Sequence, residues 1–556
     1  MKKFWIFVLI FIFTLPAVQH SFTPGYFNMH DDLQVMRIFQ MEKCLSDGQI
    51  PCRWSPDMAY GYGQAMFNFY SVSPYYLGAL IRIITPLSIM ATVKILFLIS
   101  LVGGAFGMYF LARQFWGNRG GFLAAILYTY APYHALDVFV RGALAESFAL
   151  AILPFLWLGF YLLIKKPTFP RIAGTAISLA ALLTTHNVST LIYAPFTVLW
   201  VLFWIIRFKN WRNSLVSIAI SGFLGLGLAA FFILPATLEQ SLIQTQFFTS
   251  DYLDYRAHFV TLRQLFLDRS WGDGPSIFGP VDDISFQIGW PHWWLAVFLF
   301  FLALYWLWKR KEKEKTMLLL GLLGLFLFNA FLTHSRSIFI WQRIPIIAFV
   351  QFPWRFLGLT IFFLSFAGGA LAKFDFKLKR VLVSAIILLA ILLNFRYFIP
   401  VHFSPKVKDE EKLTGIAFEL QQKAAILDYL PKTAKVAPEA LVPPLPKIIT
   451  GEGEIKSFAK QSDRFSFDTE IYEESEIEIP VMYFPGWVVM SGSSIIPSEI
   501  HGAHGVIKIT LHPGKYIIKG RFQNTPVRTI GNTLTVVSVL ILLSGALIYE
   551  NKRRRA

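Results

Sequence analysis

The stretch Tyr75-Tyr76-Leu77-Gly78-Ala79-Leu80-Ile81-Arg82-Ile83-Ile84-Thr85-Pro86-Leu87 decides how the chain is threaded. It is apolar but short, carries Arg82 within it and is bounded by Pro74 and Pro86. A helix needs roughly 20 apolar residues to cross the hydrocarbon of a bilayer. Counted as a span, this segment puts the basic pair Lys165-Lys166 outside, against the tendency of Lys and Arg to stay in the cytoplasm. Taken instead as an interfacial or re-entrant helix, it makes residues 21–90 one long external loop, and the parity closes from end to end.

The rest of the chain calls for a bilayer as its solvent. It has 556 residues, 55% of them hydrophobic and only 15% charged, with a mean hydropathy of +0.52. That is too apolar for an ordinary soluble protein. The formal charge of +17 does not point to nucleic acid, because the basic residues sit in short clusters between apolar runs. These clusters are Lys2-Lys3, Lys165-Lys166 with Arg171, Arg207-Lys209-Arg212, Lys309-Arg310-Lys311, Lys377-Lys379-Arg380 and Lys552-Arg553-Arg554-Arg555. All read as cytoplasmic topology signals.

Twelve apolar runs are candidate spans: 4–20, 91–112, 121–137, 143–164, 171–186, 189–207, 214–234, 290–308, 316–333, 355–372, 380–398 and 529–548. The fold class expected is an all-α polytopic membrane protein with a C-terminal extracytoplasmic β-rich domain, both termini in the cytoplasm. Residues 4–20 also fit a cleaved signal peptide, although no clear small-x-small site follows. Chemistry is expected on the external face, in 21–90, near 138–142, at Thr185-His186-Asn187, and in 235–289, 334–354 and 399–528.

Residues 1–398 form the membrane part. Its first loop opens on His30-Asp31-Asp32 and continues with Leu33, Met36, Phe39, Met41 and Leu45 to Gly48. That stripe predicts an amphipathic helix on the membrane surface. The aromatic and turn-rich run from Arg53-Trp54-Ser55-Pro56-Asp57 through Phe67-Asn68-Phe69-Tyr70 suits a platform at headgroup level. Cys44 and Cys52 share this loop and read either as a disulfide or as two free thiols. From 399 to 528 charges return, with a helix expected at 412–430 and Pro443-Pro444-Leu445-Pro446 as a stiff connector. Period-two alternation then predicts strands and a small β-sandwich, with 506–522 a hairpin turning at Pro513-Gly514. Residues 529–556 supply the last span and a basic tail.

Asp31 and Asp32 are the first catalytic candidates, since one carboxylate of an adjacent pair can take a hydroxyl proton while the other orients it or holds a cation. A helix N-cap with a first-turn dipole partner is the plainer reading. His30 joins them in a candidate site for a divalent metal ion. Glu146 and Arg141 stand at the outer end of a hairpin, where an ionisable residue at a span suggests function or a structural ion pair. His186 and Asn187 occupy the next tip and serve either a site or a tight turn. Arg355, with Arg336 and Arg343 before it, offers a guanidinium at headgroup depth that matches a phosphate or simply snorkels to lipid. Asp282-Asp283 and the belt Trp290-Pro291-His292-Trp293-Trp294 complete that face.

An amino-terminal span, a long first loop with an Asp pair just beyond it, many further spans and a soluble tail resemble the integral-membrane glycosyltransferases of the GT-C superfamily. More closely, residues 53–57 with Gly61-Tyr62-Gly63, Phe67-Asn68-Phe69-Tyr70, Arg141-Gly142-Ala143-Leu144-Ala145-Glu146 and Thr185-His186-Asn187 resemble the bacterial 6-pyruvoyl-tetrahydropterin-synthase-related membrane proteins. No pterin chemistry is visible in these residues. The tail motif Tyr483-Phe484-Pro485-Gly486-Trp487 is similar to the tails of related bacterial proteins. The resemblance implies transfer of a sugar from a polyprenyl-phosphate-linked donor to a cell-envelope glycan, lipid or protein outside the cytosol. Asp31 or Asp32 then serves as base or metal ligand, Arg355 meets the donor phosphate, and Glu146, Arg141, His186 and Asn187 line the pocket. Two other classes compete: a lipid or polysaccharide transporter, for which charges should spread through the span interiors, and an inactive membrane scaffold.

Overall fold

A computed structural model of the chain describes residues 2–208, 211–279, 281–310, 312–373 and 378–555. Lys209, Lys311 and Lys377, read above as topology signals, lie outside the described residues, as do the side chains of Lys2 and Lys3.

The fold is mostly helical and ends in a β-rich domain. Among the described residues, nine helices are long and apolar enough to cross a membrane, or ten if Trp211–Leu228 and Ala230–Leu238 form one span bent by 75°. The sequence reading counts twelve, and the difference has two sources. Phe169–Thr185 is helical but short for a span. The helix Ile89–Thr129 leaves helical geometry at Gly117, where φ is +71°. Its two halves fold back on each other, with Ala105, Tyr109 and Ala125 in one apolar cluster and the Tyr109 hydroxyl donating to Asn118 Oδ1 at 3.3 Å. A left-handed φ suits glycine because it has no Cβ to clash, so this turn makes a hairpin of the runs 91–112 and 121–137. Pro132 ends the second arm early and opens the short helix Pro132–Phe139.

The bent pair is closed by the last helix, Pro526–Arg555. Its Thr535 hydroxyl donates to Gly227 O at 3.0 Å and accepts from Phe231 N at 3.0 Å, satisfying backbone groups freed by the bend.

The deciding segment forms the helix Ser73–Ile84, too short to span. One face packs on the helix Gln34–Ser46, and Arg82 Nε donates to Glu42 Oε2 at 2.9 Å. The other face leaves Leu80, Ile83 and Ile84 exposed, as an interfacial helix requires. The helix Gln34–Ser46 corrects the expectation of a free surface helix. Most of its residues, polar Gln34, Arg37 and Gln40 included, are buried in protein. An apolar stripe does not say whether lipid or protein covers it. Cys44 and Cys52 are joined as a disulfide, which ties the end of this helix to the following loop.

The C-terminal domain is a sandwich of two antiparallel sheets. One holds Lys447–Thr450, Ser475–Met482, Val506–Leu511 and Ser498–His501 in that spatial order; the other holds Gly453–Lys460, Arg464–Ile471, Gly514–Phe522, Trp487–Ser491 and Ser494–Ile496. Phe465, Phe467, Ile477, Ile479, Ile509 and Ile518 share the core between them. The hairpin expected at 506–522 is not formed. Val506–Leu511 and Gly514–Phe522 lie in different sheets, so Pro513-Gly514 turns a corner between layers. Alternation with a turn signal identifies strands but not their partners. The helix expected at 412–430 is split into Asp409–Leu413 and Gly415–Ala425.

The run 53–70 likewise is no headgroup platform. Trp54 is buried against Trp487 and Phe522 of the sandwich, with centroids at 5.4 and 5.1 Å. Arg53 donates to Asn68 Oδ1 at 3.0 Å and to Asn532 Oδ1 at 2.9 Å. Asn68 Nδ2 donates to Glu239 Oε2 at 2.7 Å, and Arg528, 0% exposed, donates to the same oxygen at 3.0 Å. This buried knot joins the first loop, the bent helix and the last span at the base of the sandwich.

Candidate functional site

The first loop is stitched to the tip of the hairpin near residue 140. His30 N donates to Val140 O at 2.8 Å and Asp31 N to Arg141 O at 2.9 Å. Gln34 Nε2 adds a bond to Gly142 O at 2.8 Å. Gly142 has φ +64°, and a Cβ there would lie 2.4 Å from Met29 Sδ, so the stitch depends on glycine.

Beneath the stitch, Glu146 is the hub. Its carboxylate accepts from the Tyr133 hydroxyl at 2.5 Å and from Arg141 Nη1 at 2.8 Å, with Arg355 Nε at 3.5 Å. Arg141 also bonds Asp137, which is 0% exposed. Two carboxylates thus face two guanidiniums, which is how buried charge at membrane depth is tolerated. Arg355 is held by Val350 O at 2.8 Å and Gln351 Oε1 at 2.9 Å through one Nη; the other Nη has no partner among the described residues. The guanidiniums of Arg141 and Arg355 lie over the rings of Trp354 and Phe352, at 4.5 and 5.0 Å.

Asp31 is oriented from the other side. Its Oδ2 accepts from Arg37 Nη1 at 2.7 Å and Gln34 Nε2 at 2.9 Å, leaving Oδ1 without a partner among the described residues. Arg37 in turn stacks over Tyr70 at 4.1 Å. His186 Nδ1 meets Ser189 Oγ at 2.7 Å, and Asn187 Nδ2 donates to Phe69 O at 3.1 Å.

These side chains border one cavity of about 810 Å³, lined among others by His30, Asp31, Arg37, Arg141, Glu146, His186, Asn187 and Arg355. That volume accommodates a small-molecule ligand. Asp32 is not among the lining residues. Its carboxylate accepts from Lys412, whose ammonium lies 5.8 Å from the Tyr26 ring, and burial raises its pKa in spite of that lysine. The metal site expected of His30, Asp31 and Asp32 is also corrected. His30 Nε2 donates to Asp273 O at 2.9 Å, so the three side chains go to three different partners. Among the described residues no group of three His, Cys, Asp or Glu is placed to hold a metal ion. Consecutive residues outside a helix point apart. Arg336 and Arg343 are exposed and away from the cavity.

Three contributors escaped the sequence reading. Asp137 carried a signal, an acid within an apolar run. Arg37 was hidden inside an amphipathic pattern. The tract Ala424 to Tyr429, which brings Asp428 and Tyr429 into the cavity wall, carried none, because only the tertiary fold returns it to the membrane part. Burial pushes the Asp428 carboxyl up to about 6, opposed by Arg37 and helped by Asp31.

Residues 67–254, about a third of the chain, match the model of the 6-pyruvoyl-tetrahydropterin synthase related domain, a membrane protein family. An uncharacterized protein of Lactococcus lactis subsp. cremoris is 26% identical over 239 residues, which is 41% of this chain and 39% of that one. The chain therefore matches well under half the length of this curated relative. Among solved structures, ArnT from Cupriavidus metallidurans bound to undecaprenyl phosphate is 13% identical with a TM-score of 0.39, over 67% of this chain and 61% of that one. The Archaeoglobus fulgidus oligosaccharyltransferase in complex with zinc and sulfate is 14% identical with a TM-score of 0.34, over 71% and 52%. Likenesses at this level are too distant to assign a fold or an activity.

Proposed function

We propose that the protein is a membrane glycosyltransferase that moves a sugar from a polyprenyl-phosphate-linked donor to an acceptor on the extracytoplasmic face. One observation carries this reading: Asp31, Arg141, Glu146, His186, Asn187 and Arg355, from four separate stretches of the chain, border a single cavity. Among the described residues, Asp31 Oδ1 and one Nη of Arg355 have no hydrogen-bond partner, and both residues line this cavity. The resemblance of the span and first-loop arrangement to GT-C glycosyltransferases and the disulfide in the first loop, suited to an oxidising compartment, agree with it.

In the reaction, Asp31 Oδ1 takes the proton of the acceptor hydroxyl as its oxygen attacks the anomeric carbon. The bond from that carbon to the phosphate oxygen breaks, its electron pair leaves with the polyprenyl phosphate, and the anomeric configuration inverts. Arg355, through the Nη that has no partner among the described residues, stabilises the departing phosphate. Arg37 and Gln34 fix Asp31; Arg141 and Tyr133 fix Glu146, which holds Arg355 in place. A transporter is less favoured because the charges gather at one end of the helices.

The test pairs a lipid and a cell. Native mass spectrometry of the purified protein with undecaprenyl phosphate should detect a one-to-one adduct that weakens in Arg355→Ala. Deleting the protein should remove one sugar mass from the envelope. No adduct and an unchanged envelope would overturn the reading.

A further inference from the structure

The cavity wall carries two unlike groups of side chains, and only one is explained by a phosphate-linked donor. The cationic group is Arg141 and Arg355 with Glu146 paired with both. In the other group, the tract from the C-terminal part of the chain contributes Asp428 and Tyr429. Asp428 is half-buried and lines the cavity, and its carboxylate has no hydrogen bond or ion pair among the described residues. Its own carbonyl is fixed by Gln64 Nε2, so the tract is anchored to the first loop. Around it stand aromatic rings. Tyr429 stacks on Phe69 at 5.9 Å and 12°, and its ring lies 6.1 Å from Tyr70 and 5.6 Å from Phe248.

A half-buried carboxylate on a cavity wall, with no partner among the described residues, is free to accept hydrogen bonds from whatever enters the cavity. Arg37 is paired with Asp31, so Asp428 leaves this wall with a net negative charge that disfavours a phosphate. A carboxylate that accepts from hydroxyl groups, beside flat aromatic faces that take the C–H side of a ring, is a recognition set for a sugar. A phospholipid acceptor would bring its own anion to this wall.

Resting on the glycosyltransferase reading, we infer that Asp428 and Tyr429 form the acceptor subsite, and that the acceptor is an uncharged or amino-bearing carbohydrate whose hydroxyls bond Asp428 while its ring packs on Tyr429. The attacking hydroxyl is thereby presented to Asp31. Burial holds the Asp428 carboxyl near 6, so it accepts hydrogen bonds fully only above that pH; Arg37, Asp31, Tyr70 and Tyr429 are the charged and titratable groups that face it.

The experiment compares Asp428→Asn, Asp428→Glu and Tyr429→Ala in the full-length protein, by two readouts. One is the undecaprenyl phosphate adduct in native mass spectrometry; the other is the sugar decoration of cells lacking the native chain, with polysaccharide, lipid and protein fractions weighed separately. The expected result is an unchanged adduct in all three, tenfold or greater loss of decoration in Asp428→Asn and Tyr429→Ala, partial rescue in Asp428→Glu, and a change confined to the polysaccharide fraction. Wild-type decoration in Asp428→Asn and Tyr429→Ala, loss of the lipid adduct along with decoration, or a change confined to lipid or protein would overturn the acceptor subsite. Failure of the wild-type protein in both readouts would instead remove the glycosyltransferase reading itself.

Discussion

The backbone N–H of Asp31 donates to the carbonyl of Arg141 at 2.9 Å, and with the neighbouring bonds of His30 and Gln34 it brings the first-loop acid to the buried cluster of Glu146, Arg141 and Arg355. The stitch explains why two motifs far apart in sequence act on one cavity. It also makes the account sensitive to small changes at the junction.

Gly142→Ala strains the stitch directly. The residue sits at φ +64°, and an added methyl meets Met29 Sδ at 2.4 Å. The expected cost is about 1–3 kcal/mol, seen as a lowered unfolding temperature in detergent and reduced function. A wild-type melting curve would contradict this geometry.

Arg355→Lys keeps the charge but loses the fixed fork that serves Val350 O, Gln351 and the cavity at once. Loss of a charged hydrogen bond to phosphate is worth about 1.5–3 kcal/mol. Binding of undecaprenyl phosphate should fall by about tenfold to a hundredfold, while Arg336→Lys, on an exposed residue, leaves it unchanged.

Glu239→Gln disturbs the knot that seats the sandwich. Glu239 accepts from Asn68, Arg528 and Thr525, and Arg528 is wholly buried. Leaving that guanidinium uncompensated costs about 3–5 kcal/mol. Limited proteolysis should then cut the segment before Pro526 at concentrations of protease that spare the wild type.

Asp428 links stability to pH with a sign opposite to that of a salt-bridged acid. Its carboxyl is raised from 3.8 to about 6 in the folded protein, so the folded state holds its proton more tightly than the unfolded chain. Stability therefore falls as pH rises from about 4 through 6, and the penalty is complete above that. Asp428→Asn should raise the unfolding temperature at pH 7.5 relative to wild type and flatten this slope, even as it impairs the acceptor. A lowered melting temperature at pH 7.5 would show that the carboxylate is structurally paired.

Much of this molecule is written locally. The twelve apolar runs, the short helix with Arg82, and the strands of the sandwich follow from hydropathy and alternation, because each depends on its own residues. Partnership is what local pattern leaves out. Trp54 reads the same whether it meets lipid headgroups or Trp487; the strands on either side of Pro513 read as a hairpin whether or not they pair. At the site, Asp31, Glu146, His186 and Arg355 stood out as polar residues at helix ends, whereas Asp428 lay in a helix-forming stretch with nothing to mark it. Asp31 and Asp32 were indistinguishable until the fold turned one to the cavity and gave the other to Lys412.

That last distinction gives the most direct measurement. In cells lacking the native chain, envelope sugar decoration is compared after restoring wild type, Asp31→Asn or Asp32→Asn at equal protein abundance. The account predicts that Asp32→Asn restores decoration and that Asp31→Asn falls short by at least ~100-fold, the lower end for loss of a general base. Full restoration by Asp31→Asn would contradict it.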